Sequence, residues 1–216
     1  MLSTVFRSSV NFFFVGMVFA STSFASNAPL ILDWGRIETS SAEQQAKFSS
    51  LRSVPIPLSA QGPSTRGSAA WLVQFDGVIQ ESWKVELHAL GAELEGYIPE
   101  NAFIVTATPE QLAAISALKH VAWVGEYLPA YKNSKAVRTA LASGSDETLE
   151  YSVILFEQSD VSAIKSELAA IPGANISMAG PIADGGLIRV RLPVSALRVI
   201  SGWAEVEWIE PYIPPK

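Results

Sequence analysis

Apolar positions fall into two regular series separated by stretches rich in chain breakers. In the first, Trp71–Phe75 is a short apolar run stopped by Asp76-Gly77, which predicts a strand. Trp83, Leu87 and Leu90 then recur at i, i+4, i+7, one face of a helix, and Gly91 suits the position just past its end. Glu93–Ile98 alternates, Pro99-Glu100-Asn101 turns the chain, and Ala102–Ala107 is apolar again, so two strands joined by a turn are expected. At Thr108-Pro109-Glu110-Gln111 a helix begins: Thr108 caps it, Pro109 fits its first position and Gln111 completes a capping box. Leu112, Ile115 and Leu118 form its apolar face, and Val121–Val124 is a last strand. The order is β-α-β-β-α-β.

The second series repeats that order. Tyr151–Phe156 reads as a strand, and Asp160 caps a helix carrying Val161, Ile164, Leu168 and Ile171. Asn175–Ala179 and Leu187–Leu192 are strands around the Asp184-Gly185-Gly186 turn, Pro193 opens a helix with Leu197 and Ile200, and Val206–Ile209 closes the series. Trp83, Leu87 and Leu90 fall on Ile164, Leu168 and Ile171 at one offset. Leu112, Ile115, Val121, Trp123, Tyr127 and Pro129 fall on Leu197, Ile200, Val206, Trp208, Tyr212 and Pro214 at a slightly larger one, which places a small insertion near the second central hairpin. Internal repetition decides the expected fold. It is α+β, with two tandem ferredoxin-like modules whose antiparallel sheets carry both helices on one face and leave the other free.

Outside the two series the chain divides by composition. Residues 1–25 read as a secretory signal peptide, with Arg7 before an apolar run from Val10 to Ala20 and small residues at Ser23 and Ala25. The mature product is then expected in the periplasm or outside the cell, with no membrane association. Residues 26–70 read as lead-in and linker, with short strands at Leu30–Leu32 and Ile37 and a helix around Ala42–Leu51. The first module takes residues 71–132, a linker with a turn of helix at Ala136–Ala142 takes 133–150, and the second module with its extended tail takes 151–216.

Charge and chemistry narrow the function. The net charge of −6 becomes −7 when Arg7 leaves with the signal, which argues against nucleic acid. The chain has no Cys, so thiol catalysis and Cys-ligated zinc are excluded. His88 and His120 lack partners at ligand spacing, and neither a metal nor a cofactor is expected. Ser177-Met178-Ala179 matches the triplet around a subtilisin-type nucleophile, but no segment supplies the other members of a triad, so no enzyme activity is expected. Glu205, Glu207 and Glu210 alternate along the last strand and read as a solvated edge. By alternation Val121 shares a face with Trp123, and Val206 with Trp208, which places both Trp in the core. Tyr127 and Tyr212, just past the last strands, are interface candidates. Ile213-Pro214-Pro215-Lys216 is expected to be extended.

The run from Trp71 to Tyr131, with Val73-Gln74-Phe75, Gly96-Tyr97-Ile98-Pro99, Asn101-Ala102-Phe103 and Trp123-Val124-Gly125, resembles the propeptide-like N-terminal region of exported bacterial subtilisin-like serine proteases. The lead-in Leu30–Ser40 is similar to the segment after their signal peptide. The resemblance implies an inhibitor or folding chaperone that docks a sheet face on a subtilisin-like protease and lays Tyr212–Lys216 into its cleft. The chain carries no catalytic domain, so that protease is either a partner in trans or the missing remainder of a truncated protein. A general envelope protein-interaction module unrelated to proteolysis is the alternative.

Overall fold

The computed structural model describes residues 28–51, 67–144 and 146–214, with side chains omitted for 47–51. The segment 1–25 read as a signal peptide, most of the linker before the first module, and Pro215 and Lys216 lie outside the described residues. A hairpin of β1 (Leu30–Leu32) and β2 (Gly35–Ile37) is followed by α1 (Ala42–Leu51). The first unit then runs β3 (Ala69–Phe75), α2 (Glu81–Ala89), β4 (Glu93–Ile98), β5 (Ala102–Ala107), α3 (Pro109–Ser116) and β6 (Val121–Glu126). A 3-10 turn at Pro129–Lys132 and α4 (Lys135–Ser143) lead to the second unit. That unit comprises β7 (Thr148–Leu155), α5 (Val161–Ala169), β8 (Asn175–Ile182), β9 (Gly185–Pro193), a 3-10 turn (Val194–Ala196), α6 (Leu197–Ile200) and β10 (Val206–Pro211).

The fold is α+β, with two four-stranded antiparallel sheets ordered β4-β5-β3-β6 and β10-β7-β9-β8. Counted within each unit, both orders are 4-1-3-2. Local chemistry explains the elements. The Thr108 capping box is formed as its sequence requires, with Thr108 Oγ1 accepting from Gln111 N and Gln111 Oε1 accepting from Thr108 N. Asp160 Oδ1 accepts from Ser162 N and Ala163 N at the start of α5. The three-residue β4–β5 turn Pro99-Glu100-Asn101 places Glu100 and Asn101 at positive φ, as tight hairpin loops commonly require. At the start of β9, Gly185 has φ 129° and a side chain there would meet Leu155 O at 2.1 Å, so this turn admits glycine alone.

Each sheet carries its helices on one face. In the first, Trp71, Val73 and Phe75 point to the helices, and Phe75 stacks on Trp83 of α2 with ring centroids 5.8 Å apart. In the second, Tyr151, Val153 and Leu155 do the same against Leu168, Leu197 and Ile200. A bulge sits at the same place in both sheets. The register steps between Phe75↔Val121 and Gln74↔Trp123, and again between Leu155↔Val206 and Ile154↔Trp208. Strict alternation through the last strand therefore fails: Val121 and Trp123 pair with residues on opposite faces, as do Val206 and Trp208. The bulge turns both Trp to the face away from the helices.

That face differs between the units, and here the sequence expectation of two free faces is corrected. The first sheet's outer face is covered. Gln74 is fully buried on it, donating to Ala28 O at 2.7 Å and accepting from Thr39 Oγ1 at 2.7 Å. Leu30 and Ile37 of the lead-in join the same apolar cluster as Leu72 and Ile104. The lead-in is thus a packed part of the first unit and not only a connector. Residues 129–134 are also more than a connector, because Asn133 bridges Ile209 in parallel and Ser134 N donates to Ile209 O at 3.0 Å along the edge of β10.

Candidate functional site

The second sheet's outer face is open among the described residues. It presents Ser152, Ile154, Leu187, Arg189, Trp208 and Glu210, cross-paired on neighbouring strands. Ile154, Leu187, Arg189 and Trp208 are half-buried and Met178 of β8 is exposed. A concavity of about 650 Å³ lies on this face, its lining including Ser134, Lys135, Ile154, Ile182, Arg189 and Tyr212. Trp208 was expected in the core. It is instead only partly buried, with its indole Nε1 donating to Glu210 Oε2 at 3.3 Å, because the bulge turns it to the outer face.

The tail leaves from this face. Tyr212 extends the β10 pairing, its N donating to Glu150 O at 2.9 Å. Its ring lies under the Arg189 guanidinium, 4.2 Å from centroid to Cζ, a cation–π contact that orients the exit of the chain. Arg189 Nε is buried without a hydrogen-bond partner among the described residues. Ile213 is 83% exposed and Pro214 is exposed. Ile213 and Pro214 therefore stand clear of the sheet.

Tyr127 has a different place. It is buried, packed against Tyr131 and Phe156, and its hydroxyl donates to Glu207 O at 3.4 Å. The interface it serves is internal, between the two units. Around it lies an acidic seam that alternation alone does not reveal. Glu207 is the extra residue of the β10 bulge, and its Oε1 approaches Gly96 of β4. Burial, with the charges of Glu95 and Asp184, raises its carboxyl to about 7. Glu95 is raised by burial too, although it accepts from Thr106 Oγ1 at 2.8 Å and from Glu157 N at 3.4 Å. Lys132 is buried nearby, donates to Trp203 O at 2.6 Å and is lowered to about 8 by burial, opposed by Glu205 and Glu126. The expectation of a solvated acidic edge thus holds for Glu210 and is corrected for Glu205 and Glu207. Glu205 is half-buried with its Oε2 sequestered, and Glu207 is half-buried in the seam.

The remaining chemical candidates are scattered. His120 stacks on Trp83 at 4.8 Å with Nε2 3.4 Å from Glu86, while His88 faces Glu93 on the surface. Ser177 lies at the bulge of β8 and donates to Glu150. No group of three His, Cys, Asp or Glu able to hold a metal occurs among the described residues. No helix there is long and apolar enough to cross a membrane.

A family model described as a domain of unknown function (DUF8729) matches residues 31–128, less than half of the 216-residue chain. The match runs from within the lead-in hairpin to the exit of the first sheet, and includes Ile37 and Gln74, which help pack the lead-in onto that sheet. No curated protein and no solved structure matches the chain.

Proposed function

We propose that the chain is an exported, non-catalytic binding protein of two ferredoxin-like modules that engages a subtilisin-like serine protease as an inhibitor or folding chaperone. The observation that carries this reading is the open outer face of the second sheet, which continues through Tyr212 into an exposed extended tail. Both sheets have the 4-1-3-2 strand order, which is that of the split β-α-β unit. The sheet face supplies area with half-buried Ile154, Leu187 and Trp208, and the tail supplies an extended strand for a cleft. Pro214 and Pro215 limit the backbone bonds that tail can donate, so the sheet face carries most of the affinity.

The test is titration of the purified protein into a subtilisin-like protease, following hydrolysis of a chromogenic peptide and the recovery of activity on refolding the denatured protease. Slowed hydrolysis or improved recovery is expected, and truncation after Pro211 should weaken it. An absence of both effects across several such proteases rejects the reading. Capture of a non-protease envelope partner through the same face would favour the general interaction module.

A further inference from the structure

The seam between the units gathers several carboxylates. Glu95 comes from β4 of the first unit and accepts from Glu157 N of the second at 3.4 Å, while Glu207 comes from the β10 bulge with its Oε1 3.8 Å from where a side chain on Gly96 would begin. Acting on them electrostatically are Glu93 on β4, Glu157 after β7 and Asp184 in the β8–β9 turn, all of them carboxylates. Farther along the seam stand Glu205, Glu126 and Lys132, with the ammonium of Lys132 bound to Trp203 O. Two half-buried carboxylates drawn together across an interface repel when both are ionised, and the repulsion falls away when one holds a proton.

We propose that the Glu95–Glu207 juxtaposition is a proton-operated latch between the two units, docked when Glu207 is protonated and loosened when both carboxylates are charged. The apolar contact of Tyr127 with Phe156 and the Lys132–Trp203 bond keep the units tethered in either state. The carboxylates therefore act on how tightly the bulge of β10 seats against β4, and not on whether each unit is folded.

The surface the latch controls is the outer face of the first sheet. Loosening it exposes Ile104, the Gly96 backbone and Thr106, whose hydroxyl now bonds Glu95. The burial that raises Glu207 supports the direction: the docked state takes up a proton that the loosened state releases as pH rises.

The experiment is hydrogen–deuterium exchange of the full chain at pH 5.5 and 8.5, corrected for intrinsic exchange. It compares the wild type with Glu207→Gln and with Glu210→Gln, an exposed carboxylate on the same strand. Protection of segments 93–98 and 205–209 is expected to fall about tenfold in the wild type and in Glu210→Gln at the higher pH, and to stay high in Glu207→Gln. A wild type with pH-independent protection overturns the latch. So does a Glu207→Gln variant with the wild-type pH response. If circular dichroism shows Glu207→Gln misfolded, Glu95→Gln takes its place with the same expected result.

Discussion

Trp123 and Trp208 occupy the same position in the two units, each just past a bulge and each turned away from the helices. Trp123 is 3% exposed, beneath a roof made by the lead-in and the neighbouring unit, whereas Trp208 remains half-exposed. The next residue on each face follows suit. Gly125 leaves room for the Trp123 ring, since a Cβ there would come within 2.1 Å of it, while Glu210 meets the Trp208 indole nitrogen. Across the rest of the face Leu72, Gln74 and Ile104 correspond to Ser152, Ile154 and Arg189. The outer face of the first unit is covered, and that of the second is only partly so. Two sheets of the same strand order thus differ in what is laid on their outer faces.

The two indoles should differ most in what their removal costs. Trp123→Ala should lower unfolding free energy by about 3–5 kcal/mol, as for a large aromatic removed from a core. Trp208→Ala should cost under about 1 kcal/mol. Urea denaturation of both variants decides, and equal losses would erase the distinction between the faces. Next in size is Gly125→Ala, which forces a methyl into the Trp123 ring and should cost about 1–3 kcal/mol. The matched change Glu210→Ala should stay within about 0.5 kcal/mol.

A smaller effect depends on pH. Glu207 is raised in the folded protein to about 7, so its contribution is fully present below the unfolded value near 4.5 and is lost as pH rises through 7. Stability should fall by about 1 kcal/mol between pH 5 and pH 8, water around the half-buried carboxylate having reduced the full effect. Melting temperatures across that range should show the decline in the wild type and a flatter profile in Glu207→Gln. Smallest is Arg189→Ala, which removes a cation–π contact worth about 0.5–1 kcal/mol and should scarcely move the unfolding midpoint. Under the proposed function it should nonetheless weaken protease inhibition, because Tyr212 loses the group that aims the tail.

Much of the architecture was legible because it is written in local signals. Glu93–Ile98, Ala102–Ala107 and Ala42–Leu51 are observed with the expected limits, and the Thr108 cap forms as its spacing requires. The insertion expected near the second central hairpin is visible as well: β8 and β9 span 8 and 9 residues where β4 and β5 span 6 each. The candidate site was less legible. Tyr212 and Ile213 continue from β10 as an extended exit, whereas Tyr127, aligned with Tyr212 in the sequence pattern, is consumed by the internal seam. The acidic seam was hidden because alternation assigns a side chain to a face and a one-residue bulge reassigns it.

Periodicity and capping, which act within a few residues of chain, were enough to predict most elements, their recurring order and the helix-bearing face of each sheet. Only the tertiary structure decided which outer face is roofed, where Glu207 points and which tyrosine remains at the surface. Those outcomes depend on contacts between residues as distant as Ala28 with Gln74 and Tyr127 with Glu207, which no local pattern encodes.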